Sequence, residues 1–131
     1  MAWLYINSAA PEASEVGIIS RTAQKVTRIS GRSHAILNTI VRIKRKHASK
    51  LEGICVVSGP GSFSSIRTGV LIANILARIE QIPLYGIRLD QAQPVSTLVA
   101  QLDAKMIAPQ AYVKPEYDAE PNITLAKSKT T

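Results

Sequence analysis

The sequence is poor in the residue types that usually build covalent or metal-dependent sites. Its single cysteine, Cys55, lies in an apolar run, so neither an intrachain disulfide nor a thiolate metal site is expected. The two histidines, His34 and His47, are distant in sequence and have no carboxylate at ligand spacing, so no metal site is expected. Aromatic residues make up 5% of the chain, so platforms for stacking nucleobases are scarce.

Acidic residues are also few, and long apolar runs are missing. Nine Asp and Glu against sixteen Lys and Arg give a net charge of +7, which favours polyanions or acidic partners. No uninterrupted apolar segment approaches the roughly 20 residues that span a bilayer, and Met1–Asn7 lacks the basic start of a secretion signal. At 131 residues, 46% of them hydrophobic, the chain fits one domain. We therefore expect a soluble, cytoplasmic protein that does not associate with membranes.

Strand and helix patterns alternate along the chain in a definite order. Three short β-favouring segments predict an antiparallel meander, and the apolar run that follows the first helix pattern predicts a buried central strand. The order β-β-β-α-β-α-β predicts an α/β fold, a mixed sheet with helices packed on it. The core is expected to end near Ala108. The predicted strands are Trp3–Asn7, Glu15–Ser20, Gln24–Ile29, Leu51–Ser58 and Pro83–Ile87, and the predicted helices are His34–His47, Ser65–Gln81 and a short one from Pro94 to Leu102.

One loop carries a family resemblance. Residues Gly59–Phe63, with Arg67 and Gly69 at matching offsets, resemble the Gly-Pro-Gly-Ser-Phe-Thr-Gly-x-Arg-x-Gly segment of the TsaB (YeaZ) family. Ser64 stands where the family has Thr, and Ser65 replaces its Gly. Residues 109–115 resemble a Pro-x-Tyr-Leu-Arg segment near the end of full-length members, which implies a minimal form lacking most of the second lobe.

The resemblance implies both a fold and a role. The fold would be a single half-repeat of the actin, heat-shock ATPase and sugar-kinase type (RNase H-like), with residues 1–108 as the N-terminal lobe and 109–131 as a C-terminal extension ending in a basic tail. The role would be that of a non-catalytic scaffold and dimerisation subunit. It would bind TsaD, join TsaE in a larger assembly, and support threonylcarbamoyl transfer to the adenosine of ANN-decoding tRNAs.

The same resemblance implies what the chain binds. Alone it could form a homodimer, and it would hold no cofactor by itself, so that ATP or ADP could bind only in the assembled complex. Contact with tRNA would be indirect or weakly electrostatic. Two alternatives remain open: a nucleotide-dependent enzyme of the same superfold, and a free-standing basic RNA-binding module.

The helix Ser65–Gln81 has two apolar arcs on its wheel. One arc contains large aliphatic residues and is suited to covering the sheet, while the other contains mostly small residues that allow close approach of a helix. In the family, this helix and the preceding one supply the dimerisation surface. Packing against helix His34–His47 of the same chain is the alternative role for the small-residue arc, and it explains part of that arc. The large arc is Ile72, Ile75, Leu76 and Ile79, and the predicted partner contacts are Leu37, Ile40, Val41, Ile66, Gly69, Val70, Ala73 and Ala77.

The glycine-rich loop has a second interpretation, as an anion site. Its backbone N–H groups and hydroxyls precede a helix, where anions are favoured, and the residues concerned are Gly59, Gly61, Ser62, Ser64 and Ser65. The loop lacks the lysine and spacing of a P-loop. The alternative is a tight connection in which Ser64 or Ser65 caps the helix.

Two further patterns bear on function. The family's first hairpin has Asp-Thr-Ser, whereas this chain has Asn7-Ser8-Ala9, and Asn brings no negative charge for Mg²⁺. We therefore expect no ATP hydrolysis. The basic run Arg42–His47, with Lys50, is either a solvated helix end stabilised by the helix dipole or a patch for RNA phosphates.

Overall fold

The predicted element order is confirmed. The computed structural model describes residues 2–30, 33–47 and 51–117, and within them every predicted helix and strand begins and ends within two residues of its expected bounds. The strands are β1 Ala2–Asn7, β2 Ser14–Ser20, β3 Gln24–Ile29, β4 Leu51–Gly59 and β5 Leu84–Arg88, and the helices are α1 Ser33–His47, α2 Phe63–Glu80 and α3 Val95–Asp103.

The five strands form one mixed sheet in the order β3-β2-β1-β4-β5. The pairs β1–β2 and β2–β3 are antiparallel, as the predicted meander requires, while β4 is parallel to both β1 and β5. Short turns can join only antiparallel strands, so the helices α1 and α2 serve as the crossovers of the parallel part. The predicted α/β class is confirmed.

Helices cover both faces of the sheet. Helices α1 and α2 pack on the face to which Leu4 and Ile6 point, and Gly69 of α2 lies beside Ile6. Helix α3 packs on the opposite face, where Arg21 of the β2–β3 turn forms an ion pair of 2.7 Å with Asp103. Because both faces are buried, β1 and β4 are apolar along most of their length rather than alternating. None of the helices within the described residues is long and apolar enough to cross a membrane.

The expectation that the core ends near Ala108 is wrong. Val113 is buried in the core, and Asn74 of α2 donates a hydrogen bond to its carbonyl (2.8 Å) and accepts one from its N–H (2.9 Å). Further along, the Glu116 N–H donates to the Ser58 carbonyl at 2.7 Å. Residues 110–117 are held by hydrogen bonds to the Asn74 side chain and to strand edges, and they form no regular helix or strand. Their sequence therefore has no hydrophobic periodicity that would reveal their burial.

Residues 118–131 lie outside the described part of the chain, and with them the predicted basic tail. The division of the chain into residues 1–108 and 109–131 stays a prediction.

Replacing Asn74 by Ala should destabilise the protein by about 2 kcal/mol. The substitution removes three hydrogen bonds, one to the Val70 carbonyl and two to Val113, and leaves the backbone groups of the buried Val113 unpaired. Urea unfolding followed by circular dichroism measures the change. Asn38→Ala, at an exposed position of α1, is the matched control and should cost nothing. Equal midpoints for Asn74→Ala and wild type would show that residues 110–117 do not depend on this contact.

Candidate functional site

The two apolar arcs of α2 face the opposite way from the prediction. The small-residue arc lies against the chain's own sheet, with Ala73 0% and Ala77 6% exposed. Leu71 and Ile79 on the other side are 54% and 69% exposed. The assignment of Ile66, Gly69, Val70, Ala73 and Ala77 as partner contacts is therefore corrected, because all five are buried in the core.

The close approach of α2 to the end of β1 explains this orientation. A β-carbon built on Gly69 would overlap the Ser8 hydroxyl and lie 2.8 Å from Ser8 Cβ. Small residues are therefore needed where α2 crosses the sheet, and the large side chains are left on the outside. The helical wheel defines the two arcs, but it contains no information about which arc meets the sheet.

The large side chains of α2 join those of α1 in an exposed apolar groove, which we call the α1–α2 face. Leu37 and Val41, both predicted partner contacts, are about half exposed there (46% and 48%), while Ile40, the third predicted residue of α1, lines the groove but is buried. An ion pair between Lys44 and Glu80 joins the two helices. The groove has a volume of about 480 Å³, and its lining is Leu37, Ile40, Val41, Lys44, Thr68, Leu71, Ile72, Ile75, Leu76 and Ile79.

The loop between β4 and α2 makes close contacts with the rest of the chain. Gly59 has φ +133°, a conformation that favours glycine, and a β-carbon there would overlap the Glu116 carbonyl oxygen. On its other side, Gly61 packs on Ala9, and the Ser62 N–H donates to the Ala9 carbonyl at 3.0 Å. The loop is thus held between the β1–β2 turn on one side and Glu116 and Tyr117 on the other.

The first turn of α2 differs from the prediction in its cap. The residue preceding the helix is Ser62, whose side chain makes no capping hydrogen bond, while Ser64 and Ser65 lie within the first turn and cap nothing. Phe63 stacks on Tyr117 with ring centres 4.6 Å apart, and the Arg67 guanidinium lies 5.0 Å from the Phe63 ring. Anion binding by Gly59, Gly61, Ser62, Ser64 and Ser65 stays a prediction.

Asn7 stabilises the turn after β1. Its Oδ1 accepts a hydrogen bond from the Ala9 N–H at 3.1 Å, and its Nδ2 donates to Tyr5 Oη at 3.3 Å and to Glu15 Oε1 at 3.4 Å. Beside this turn lies a cleft of about 410 Å³ whose lining includes Glu15, Arg28 and Pro60. Burial raises the pKa of Tyr5 to about 12, so its hydroxyl stays protonated at neutral pH.

Ser8, which the sequence marks only as part of the first hairpin, is buried beneath α2. Its hydroxyl is fully buried against Gly69 and has no hydrogen-bond partner among the described residues. It therefore lies between the sheet and α2, where a phosphate in the cleft cannot use it. No signal in the sequence links Ser8 to Gly69, because the contact exists only once α2 has packed.

The remaining sequence candidates are spread over the surface and the core. His34 is exposed, whereas Lys50 and the side chain of His47 lie outside what the structure describes. Within residues 2–30, 33–47 and 51–117, no three His, Cys, Asp or Glu side chains come together in a way that could hold a metal ion. Burial raises the pKa of the Cys55 thiol to about 12, which leaves it uncharged and unreactive.

Comparison with known families identifies the chain. The family model described as "TsaD: tRNA N6-adenosine threonylcarbamoyltransferase" matches residues 22–111, more than half of the sequence. The chain belongs to this family. No curated protein sequence matches it.

Solved structures of YeaZ share its fold. YeaZ from Pseudomonas aeruginosa superposes with a TM-score of 0.59 at 18% identity, over 69% of this chain and 46% of that one. A second structure, described as an uncharacterized protein with similarity to peptidase YeaZ from the same organism, gives the same values. The actin-like, RNase H-like half-repeat implied by the TsaB (YeaZ) resemblance is therefore confirmed. The chain spans about half the length of these structures.

Gly69→Ala should destabilise the protein by about 1–3 kcal/mol, because the added methyl group overlaps Ser8. In a Ser8→Gly background the same change should cost much less, since the nearest remaining atom, Ile6 Cγ2, lies at 3.5 Å. Chemical unfolding of the four proteins of this cycle measures the coupling. An equal cost of Gly69→Ala in both backgrounds would contradict the close approach of α2 to Ser8.

Proposed function

We propose that the chain is a non-catalytic accessory subunit in threonylcarbamoyl modification of tRNA adenosine, and that it binds a TsaD-type partner through the α1–α2 face. The observation that carries the proposal is the row of large aliphatic side chains left in water on that face: Leu37, Val41, Leu71, Ile75 and Ile79. The family match supplies the reaction, and the TsaB resemblance supplies the partner. The setting would be cytoplasmic.

The α1–α2 face has the properties of a subunit interface. Contiguous apolar surface of this kind on a soluble domain usually marks an interaction site. Full burial of one large aliphatic side chain contributes about 1.5–3 kcal/mol, so several of them together can offset the entropy lost on association. The side chains of α1 and α2 form ridges with a groove between them. Helices of a partner can pack into this groove, as helices do in a helix bundle.

A different chain is favoured over a second copy as the stable occupant. Two copies would each bring a net charge of +7, and their repulsion opposes association, more strongly at low salt. A homodimer would form only when the partner is missing. In the assembly, TsaE and any ATP or ADP would come from outside this chain.

The geometry of the hairpin cleft supports a scaffold rather than a catalyst. The amide of Asn7 is engaged in the turn, and the Ser8 hydroxyl is buried on the side of α2. The charged side chains lining the cleft, Glu15 and Arg28, occupy opposed positions on β2 and β3. Under this proposal, the groups that position a nucleotide's phosphates and Mg²⁺ are supplied by the partner.

Ile75→Arg should abolish capture of a purified TsaD-type partner while the protein stays folded. Ile75 is half exposed, so the cation is tolerated in the free chain but would be buried unpaired in the complex. Pull-down and circular dichroism together give the result. Met106→Arg, at an exposed apolar position outside the α1–α2 face, is the control and should bind normally. Ala73→Arg should instead unfold the protein, because Ala73 is fully buried. A folded Ile75→Arg protein that captures the partner at wild-type strength would show that the α1–α2 face is not the partner-binding surface.

Calorimetric titration with Mg-ATP should show no micromolar binding to the isolated chain. The expectation rests on the engaged Asn7 and the inaccessible Ser8 hydroxyl. An Asn7→Asp variant, which restores the family's carboxylate, tests whether that one group is sufficient. Micromolar binding by the wild-type chain, lost on substitution at Asn7, would favour the alternative of a nucleotide-dependent enzyme.

A further inference from the structure

A second groove lies on the other side of α1, between that helix and the outer strands of the sheet. It has a volume of about 390 Å³. Its floor is apolar, formed in part by Ile18 and Ile43, and three hydroxyl side chains and three cations surround it. The hydroxyls are Ser20, Thr22 and Thr27, and the cations are Lys25, Arg42 and Lys46. We call this the basic groove.

The cations of the basic groove are uncompensated among the described residues. Lys25, Arg42 and Lys46 are all exposed, and none forms an ion pair with a described carboxylate. By contrast, other cations of the chain do have such partners: Arg21 pairs with Asp103, and Lys44 with Glu80. No described carboxylate lines the groove. Its charged and polar side chains therefore present one sign of charge together with hydrogen-bond donors.

The helix dipole accounts for only part of this cluster. Cations in the last turn of a helix are stabilised by the carbonyl end, which suffices for Lys46. Lys25, however, lies on β3 and is brought to the groove by the pairing of β3 with β2, in which it opposes Ile18. Arg42 lies one helical turn before Lys46, so both project on the same side of α1. Two separate elements thus contribute cations to one groove.

We propose that the basic groove binds the phosphodiester backbone of RNA. Long cations and hydroxyl donors are the groups that contact phosphate oxygens, and no aromatic side chain lines the groove to read bases. Binding is therefore independent of sequence and sensitive to salt. The choice of RNA rests on the proposed function, because the family's reaction modifies a tRNA. The groove would hold the tRNA while the partner carries out the chemistry.

The basic groove and the α1–α2 face can be occupied together. Helix α1 contributes Leu37 and Val41 to the α1–α2 face, and Arg42 and Lys46 to the basic groove. The two surfaces share no lining residue. A partner docked on α1 and α2 therefore leaves the basic groove open to a polyanion.

The test is binding of a fluorescently labelled, unmodified transcript of an ANN-decoding tRNA to the full chain, measured by anisotropy over a salt series. The variant Lys25→Gln/Arg42→Gln/Lys46→Gln should bind at least about 10-fold more weakly at low salt. Its slope of log affinity against log salt should be smaller by about 2–3. The three positions are exposed, so circular dichroism should show an unchanged fold.

The matched control removes the same charge elsewhere. Arg67→Gln/Arg78→Gln/Lys105→Gln changes three exposed cations outside the groove and should weaken binding by less than about 3-fold. Equal losses in the two triple variants, or none in either, would overturn the proposal by showing that bulk charge or another surface binds the RNA.

Two further measurements separate this proposal from the proposed function. Competition with poly-glutamate tests whether the groove binds an acidic protein instead of RNA. If the groove variant no longer binds poly-glutamate but still binds tRNA, the RNA proposal is wrong. Partner capture by the groove variant should be normal, and Ile75→Arg should bind tRNA like wild type. If only the tRNA-binding prediction fails, the basic groove is not an RNA site and the proposed function stands. If only the partner-capture prediction fails, the α1–α2 face is not the partner-binding surface.

Discussion

The contact of α2 with the end of β1 determines most of what this molecule can present to others. Gly69 sits on Ser8 with no room for a β-carbon, and Ala73 and Ala77 continue the same close packing along the helix. A helix brought this near to a sheet must direct its small residues inward. Its large aliphatic residues are then left outside, beside α1, where they form an apolar groove.

The same contact limits the chemistry of the first turn. The Ser8 hydroxyl is enclosed between β1 and α2, and the Asn7 side chain is hydrogen-bonded within the turn. Under the proposed function, the chain contributes surface to an assembly and the reacting groups come from its partner.

Helix α1 separates two surfaces of different chemistry. One side completes the apolar groove with α2, where the opposite charges of Lys44 and Glu80 neutralise each other. The other side carries Arg42 and Lys46 toward β3, where Lys25 adds a third cation without a described carboxylate beside it. Apolar burial and phosphate contact differ in their dependence on salt, so the proposed partner binding and the proposed RNA binding would be separable by salt.

The sequence by itself determined the order of elements, the mixed sheet and the family, because these follow from local periodicity and from the short motif around Gly59–Gly69. It also picked out Leu37 and Val41 on the exposed side of α1. It did not predict the burial of Val113, since the hydrogen bonds that hold this residue come from Asn74, thirty-nine positions away. Only the tertiary structure decided which arc of α2 meets the sheet, because two apolar arcs are equally good amphipathic stripes until a specific neighbour, here Ser8, permits one and excludes the other.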